Sequence, residues 1–339
     1  MRKSARRVAL YGLLVLAACT RVPGRAPPRL LAPPAPADDS LGDVEQRAVS
    51  LAKGWITVKL FIPRDPPGPK PAIVGPIDDR GTLLERGIVL VRFHTNWGLL
   101  AGLARARENE TPAEQPGSER QAGPPPENEK PATEQNTVGT WLLAAPRPGI
   151  VGKAYFGLIS QDALHTLPQV MDYLESVPEI DPGRIAIAGS STGGFVALEA
   201  LAGEPRFAAA VVRVACGDYH EFLRASSLAL GGDPRWLDDG KLRLDADYEE
   251  MLRDIEPIRK ADRFPPRPLL MLNGASDTAI PLDCVRPTTD ALAAAYARRR
   301  MSDRFRSIIY DGQGHNLGPR AAADSLAWWD RWLLGRATQ

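Results

Sequence analysis

Cysteine and histidine are the scarce residues of this chain. Three cysteines and four histidines (His94, His165, His220 and His315) are spread over 339 residues. No H-E-x-x-H helix and no cluster at metal-ligand spacing can be drawn from them. A nucleotide loop is missing as well, because the glycine-rich turn GSSTGG at 189–194 lacks the lysine of a P-loop. An excess of one charge is also lacking: 42 Lys and Arg face 41 Asp and Glu. That balance gives no basic field and argues against nucleic acid as the main partner. These absences predict chemistry with no metal and no cofactor, in which water is the only cosubstrate.

The chain begins without an apolar run long enough to span a bilayer. VALYGLLVLA and its flanks cover about a dozen residues, short of the roughly 20 that a membrane helix needs. The run follows the positive segment MRKSARR and ends in Leu16-Ala17-Ala18-Cys19, so residues 1–18 read as a signal peptide. The small-residue site closed by cysteine resembles the lipobox of bacterial lipoproteins. That resemblance implies lipidation of Cys19 and an exported protein held at the cell envelope through an N-terminal lipid anchor, facing the periplasm or the cell surface. A non-lipidated secretory signal is the other reading. Residues 19–40, rich in proline, form a semi-rigid tether, and a single globular domain is expected over 41–339. Its first stretch, 41–53, reads as a short helix or an irregular lead-in.

The rest is organised as strands alternating with helices. Apolar, β-branched runs at 54–62, 71–75, 87–93, 184–189, 207–216, 268–274 and 306–310 have strand length. Ser160–Val177 places apolar residues at helical spacing, with Pro168 as a possible kink, and 287–300 and 321–334 read as further helices. Alternation of this kind predicts an α/β fold, a mostly parallel central sheet with helices on both faces. Residues 105–139 carry almost no large apolar side chains and much Pro, Glu and Gln, and are expected to be a disordered insertion. Residues 218–265 read as a polar, partly helical excursion. Cys216 and Cys284 fall in loops after strands; a disulfide between them is conceivable, and sequence leaves it open.

The chemistry sits at strand ends. The run 184–189 leads into Gly189-Ser190-Ser191-Thr192-Gly193, followed at once by the helix-like FVALEALAG. This is the context in which G-x-S-x-G acts as an elbow that lifts its serine clear of the sheet. Only Ser191 fits the register, since Ser190 would need glycines at positions held by Ala188 and Thr192. Glycines flank it because strand and helix approach too closely for a Cβ. After 268–274 comes GASDTAIP with Asp277, and after 306–310 comes GQGH with His315.

Three motifs in this order, each after a strand, resemble the α/β-hydrolase superfamily over about 54–334. The dienelactone-hydrolase-like and prolyl-oligopeptidase-like serine hydrolases are nearest in flavour. The resemblance implies Ser191 as nucleophile, His315 as general base and Asp277 as the acid that orients it. Asp283 is a rival acid in the same loop. It also implies an oxyanion hole built from the Thr192 N–H and a second donor in the loop GPID. Pro76 has no N–H there, which leaves Ile77. Dienelactone hydrolases carry Cys at the nucleophile position, so Ser191 points away from that reaction.

The expected activity is hydrolysis of an ester or related acyl bond in a small-molecule substrate, through an acyl-enzyme. Two alternatives stand beside it. One is a small serine peptidase of the prolyl-oligopeptidase type, although the stretch between Cys19 and Trp55 is too short for the propeller domain that usually precedes such enzymes. The other is a non-catalytic binding lipoprotein on the same fold.

Overall fold

The computed structural model describes residues 44–52, 55–75, 80–95, 148–228, 237–238, 241–242, 244 and 246–336. The expected signal peptide, Cys19, the tether, Ile77 and the insertion at 105–139 lie outside the described residues.

In chain order the strands are β1 (Val44–Leu51), β2 (Ile56–Pro63), β3 (Lys70–Val74), β4 (Val89–Thr95), β5 (Ile180–Ser190) and β6 (Ala210–Arg213). They continue with the two-residue strands β7 (Leu237–Asp238) and β8 (Lys241–Leu242), then β9 (Leu269–Gly274) and β10 (Phe305–Tyr310). The α-helices are α1 (Arg80–Glu85), α2 (Pro148–Gln161), α3 (Leu167–Glu175), α4 (Thr192–Gly203), α5 (Tyr219–Ala225), α6 (Ala246–Ile255), α7 (Leu282–Arg298) and α8 (Gly318–Trp332).

Eight strands form one sheet in the order β1-β2-β4-β3-β5-β6-β9-β10. The pairs β1–β2 and β2–β4 run antiparallel, and every other neighbouring pair is parallel. The expected α/β-hydrolase architecture is therefore present. Its central strands β3 and β9 are buried at every position, as unbroken apolar runs in a parallel sheet require. The order of β3, β4 and β5 reverses the chain direction across the sheet, and at such a point loops part to leave a crevice at the C-terminal strand ends.

Two elements differ from expectation. Residues 44–51, expected as a short helix or irregular lead-in, form the edge strand β1, paired over its whole length with β2. Its residues are exposed or half-buried, with charge at Glu45 and Arg47, as befits an edge. Ser160–Val177 is also no single helix. A π-turn at Asp162–Thr166 separates α2 from α3, and the Leu167 N–H reaches back to the Asp162 carbonyl. Pro168 follows it directly within the same helical run, where its missing N–H removes one backbone hydrogen bond.

Cys216, just after β6, is disulfide-bonded to Cys284 in the first turn of α7, with Cα atoms 5.7 Å apart. The two are 68 residues apart in sequence, and closing a loop of that size is worth about 4 kcal/mol on chain-entropy grounds.

Helix α4 is buried from Gly194 to Ala202, and that span includes Glu199. Among the described residues, both Glu199 carboxylate oxygens and the Ser160 hydroxyl are buried with no well-formed hydrogen bond. Burial pushes the Glu199 carboxyl up to about 7, and the Lys260 charge and the nearby Ser160 hydroxyl offset only part of that. Its folded pKa is therefore raised. Between about pH 4.5 and 7 the unfolded chain releases a proton that the folded protein keeps, so stability falls as pH rises. The loss is on the order of 3 kcal/mol for a shift of this size. Glu199→Gln is expected to flatten this dependence and to gain most over the native protein near pH 8. Denaturant midpoints at about pH 5 and 8 check it; parallel pH profiles for the two proteins would rule it out.

Candidate active site

The three strand-end motifs meet at the C-terminal edge of the sheet. Ser191 stands between β5 and α4 with φ 55° and ψ −124°, a backbone conformation that L residues seldom adopt. Such strain costs about 1–3 kcal/mol and persists only where neighbours fix it. Here the Ser191 N–H donates to the Arg213 carbonyl of β6 at 3.0 Å. The Ser191 carbonyl accepts from Gly194 and Phe195 N–H at 2.8 and 3.1 Å. A Cβ on Gly189 would collide with the Gly193 carbonyl, which accounts for the glycine before the turn.

His315 Nε2 lies 3.0 Å from Ser191 Oγ, and His315 Nδ1 lies 2.9 Å from Asp277 Oδ2. A carboxylate can only accept, so Nδ1 carries the proton and Nε2 is left to accept from the serine hydroxyl. Asp277 Oδ1 in turn accepts the backbone N–H of Ala279 and Ile280 at 2.9 and 3.0 Å. One carboxylate oxygen is thus fixed by its own loop and the other faces the imidazole. The Asp277 side chain is 2% exposed and that of His315 39%. Asp283, the rival acid, is 59% exposed, and its partner is Arg224 at 3.5 Å. The structure therefore brings Ser191, His315 and Asp277 into one hydrogen-bonded line and leaves Asp283 out of it.

The loops bearing Asp277 and His315 are locked together by backbone. The N–H of Ala275 donates to the Tyr310 carbonyl at 2.9 Å, and that of Ser276 to the Gln313 carbonyl at 2.8 Å. A Cβ on Gly274 would run into the carbonyls of Gln313 and Gly314. This contact was not legible in GASD alone, which only marked a turn.

Thr192 is the first residue of α4, where a backbone N–H has no intrahelical acceptor. Its hydroxyl lies 3.2 Å from the Tyr155 hydroxyl, a neighbour that sequence reasoning missed. Burial pushes Tyr155 up to about 12, so it stays a neutral phenol. Beside Thr192 opens a cleft of about 440 Å³, lined by Gly75, Phe93, His94, Asp162, Thr192 and Val196 among others.

Among the described residues, Asp218, His220 and Glu256 come close enough to share a cation, with ligand atoms within 4.8 Å of one another. Their bonds are already made. His220 Nδ1 lies 2.5 Å from Glu256 Oε1 and Nε2 lies 3.0 Å from Glu249 Oε2. Glu256 also accepts the Tyr219 and His220 N–H and the Arg259 guanidinium. The hydrogen bond to Glu256 holds His220 above its ordinary pKa.

The sequence model of the prolyl oligopeptidase family matches residues 159–336, slightly more than half of the chain and the part that holds all three motifs. The chain belongs to the prolyl oligopeptidase family. YtaP of Bacillus subtilis (strain 168), a hydrolase by assignment, is 24% identical over 184 residues, which are 54% of this chain and 56% of YtaP. YitV of the same organism, an esterase by assignment, is 23% identical over 180 residues, 53% of this chain and 69% of YitV. The match thus spans little more than half the length of YtaP.

Solved structures share the fold. TT1662 of Thermus thermophilus superposes with a TM-score of 0.52 at 20% identity, over 86% of this chain and 98% of its own. A puromycin-hydrolyzing peptidase of Mycobacterium tuberculosis gives 0.54 at 19% identity, over 87% of this chain and 40% of its own. The acylaminoacyl peptidase of Pyrococcus horikoshii gives 0.55 at 16%, over 88% and 43%. This chain thus joins membership of that family to the α/β architecture of these structures.

The close approach at Gly274 is testable. Gly274→Ala must push the two loops apart, and overpacking of this kind costs about 1–3 kcal/mol. A lowered denaturant midpoint together with slower turnover is the expected result; an unchanged midpoint would show that the loops have room.

Proposed function

We propose that this protein is a serine hydrolase that cleaves an ester or related acyl bond through an acyl-enzyme. The observation that carries the reading is the line from Ser191 Oγ to His315 Nε2 and from His315 Nδ1 to Asp277 Oδ2. A serine hydroxyl is a weak nucleophile until an adjacent base takes its proton. In this reading His315 takes it as Ser191 Oγ attacks the substrate carbonyl, and returns it to the leaving oxygen or nitrogen. Asp277 holds the imidazole tautomer and stabilises the imidazolium. The developing oxyanion is met by the Thr192 N–H at the start of α4, where the helix dipole adds favourable charge. Ile77 is the expected second donor. Water then frees the acyl group by the same steps in reverse order.

A second reading, peptide or amide cleavage, is favoured by membership of the prolyl oligopeptidase family and by the peptidase structures that share the fold. The two differ only in the leaving atom that His315 protonates. Esters and amides must therefore be compared directly. The full-length chain is expected to hydrolyse p-nitrophenyl acyl esters, faster than peptide p-nitroanilides of matched acyl side. Ser191→Ala and His315→Ala should each lose about 10⁶-fold in turnover and Asp277→Asn about 10⁴-fold, with the circular dichroism spectrum intact. Faster anilide cleavage would favour the peptidase. No turnover and no fluorophosphonate labelling of Ser191 would point to a non-catalytic binding protein.

We further propose that the enzyme acts at the cell envelope, anchored through Cys19; the support is Leu16-Ala17-Ala18-Cys19 behind a positive, then apolar, segment. Labelled palmitate should enter the native chain and not Cys19→Ser. A native chain that takes up no label would overturn the anchor.

A further inference from the structure

The segment between β6 and the end of α5 is tied at one end to β9 and at the other to the loop of Asp277. It begins under strain: Val214, a buried β-branched residue, has φ 43°. The Val214 N–H donates to the Leu272 carbonyl at 2.8 Å, and the Ala215 N–H to the Asn273 side-chain carbonyl at 3.1 Å. Both acceptors lie on β9, the strand that delivers Asp277. Two residues on, Cys216 is bonded to Cys284 of α7. The Thr288 hydroxyl of α7 accepts the Gly217 and Asp218 N–H at 2.8 and 3.0 Å and donates to the Cys284 carbonyl at 2.8 Å. At the far end, where α5 stops, Ser226 Oγ donates to the Ala279 carbonyl at 2.6 Å and the Ser227 N–H to the Thr278 carbonyl at 2.9 Å. Ala279 and Ile280 are the residues whose N–H groups hold Asp277 Oδ1.

We infer that residues 214–227 are a positioning strap: the Cys216–Cys284 disulfide and the Ser226 hydroxyl set the angle at which Asp277 Oδ2 meets His315. The inference rests on the serine-hydrolase reading. Its physical basis is that residue Ala279 is held from two sides, giving its N–H to Asp277 and its carbonyl to Ser226. Releasing the carbonyl frees the backbone there to rotate, and the carboxylate that it holds rotates with it. Among the described residues, the carboxylate is tied only by those two N–H groups and the imidazole. None of the residues that line the cleft beside Thr192 belongs to the strap, so loosening the strap should alter the chemical step and spare binding in that cleft.

The test compares Ser226→Ala, Ser226→Thr and the double variant Cys216→Ser/Cys284→Ser with the native full-length chain. All are assayed on a p-nitrophenyl ester well below their unfolding temperatures. Hydrogen exchange at Ala279 and Ile280 is read in parallel. Displacements of an ångström at a reacting group cost up to about 100-fold. Ser226→Ala and the cysteine pair are therefore expected to lose about 10- to 100-fold in kcat, with KM within about twofold and faster exchange at both amides. Ser226→Thr, which keeps the hydroxyl, should restore kcat. Folded variants with native kcat, or a loss confined to KM, would overturn the strap, and Ser226→Ala decides the matter if the cysteine variant does not fold. A native chain without turnover or Ser191 labelling would instead overturn the hydrolase reading. Exchange at the two amides would then decide the strap by itself, with unchanged rates in Ser226→Ala overturning it.

Discussion

The structure depends on a single close approach, that of β5, α4 and β6 at Ser191. Three backbones come within hydrogen-bond reach of one residue, which forces Ser191 to positive φ and leaves no room for a Cβ on Gly189. The strain is held by burial. α4 is enclosed from Gly194 to Ala202, and Phe195 packs against Phe156, Tyr219 and Phe222 with ring centroids 4.9–6.2 Å apart. A helix enclosed in this way cannot shift to relax its first residue, so the elbow keeps its shape without a ligand to template it.

Polar groups inside this packing are handled in two ways, and the contrast separates what serves the site from what the fold tolerates. Asp277 and Glu256 are buried carboxylates whose oxygens are met by backbone N–H groups and a histidine ring. Their orientation is fixed because each acceptor is used. Glu199 is buried as deeply and has no such partners, and its carboxyl holds its proton up to about pH 7. Donors stabilise a carboxylate taken out of water; the loop of Asp277 and the start of α5 supply them, and among the described residues none makes a well-formed hydrogen bond to Glu199.

Much of this could be read along the chain. The strands β3 and β9 announce themselves as apolar runs because both of their faces are covered. The elbow announces itself because only glycine fits beside the strained serine. β1 did not, because an edge strand with one wet face mixes Glu45, Gln46 and Arg47 with its apolar residues, and its identity comes from pairing with β2. The break between α2 and α3 was misplaced for a related reason. Pro168 lacks the N–H that a regular turn would use, and the irregularity falls ahead of it in the π-turn.

The sequence by itself determined which residues could do chemistry: Ser191, Asp277 and His315 stand at strand ends in hydrolase order, in turns where local backbone rules demand glycine. Tertiary structure alone decided the rest. Asp277 is selected over Asp283 because one is enclosed beside His315 and the other faces solvent beside Arg224. Cys216 and Cys284 are joined because β6 and α7 converge, and Ser226 bears on the acid loop because α5 ends there. Turns and periodicities are written locally, through φ, ψ and burial of neighbours a few residues apart. Which of two nearby carboxylates meets a histidine 38 residues away depends on how the sheet brings β9 beside β10, and no local rule carries that information.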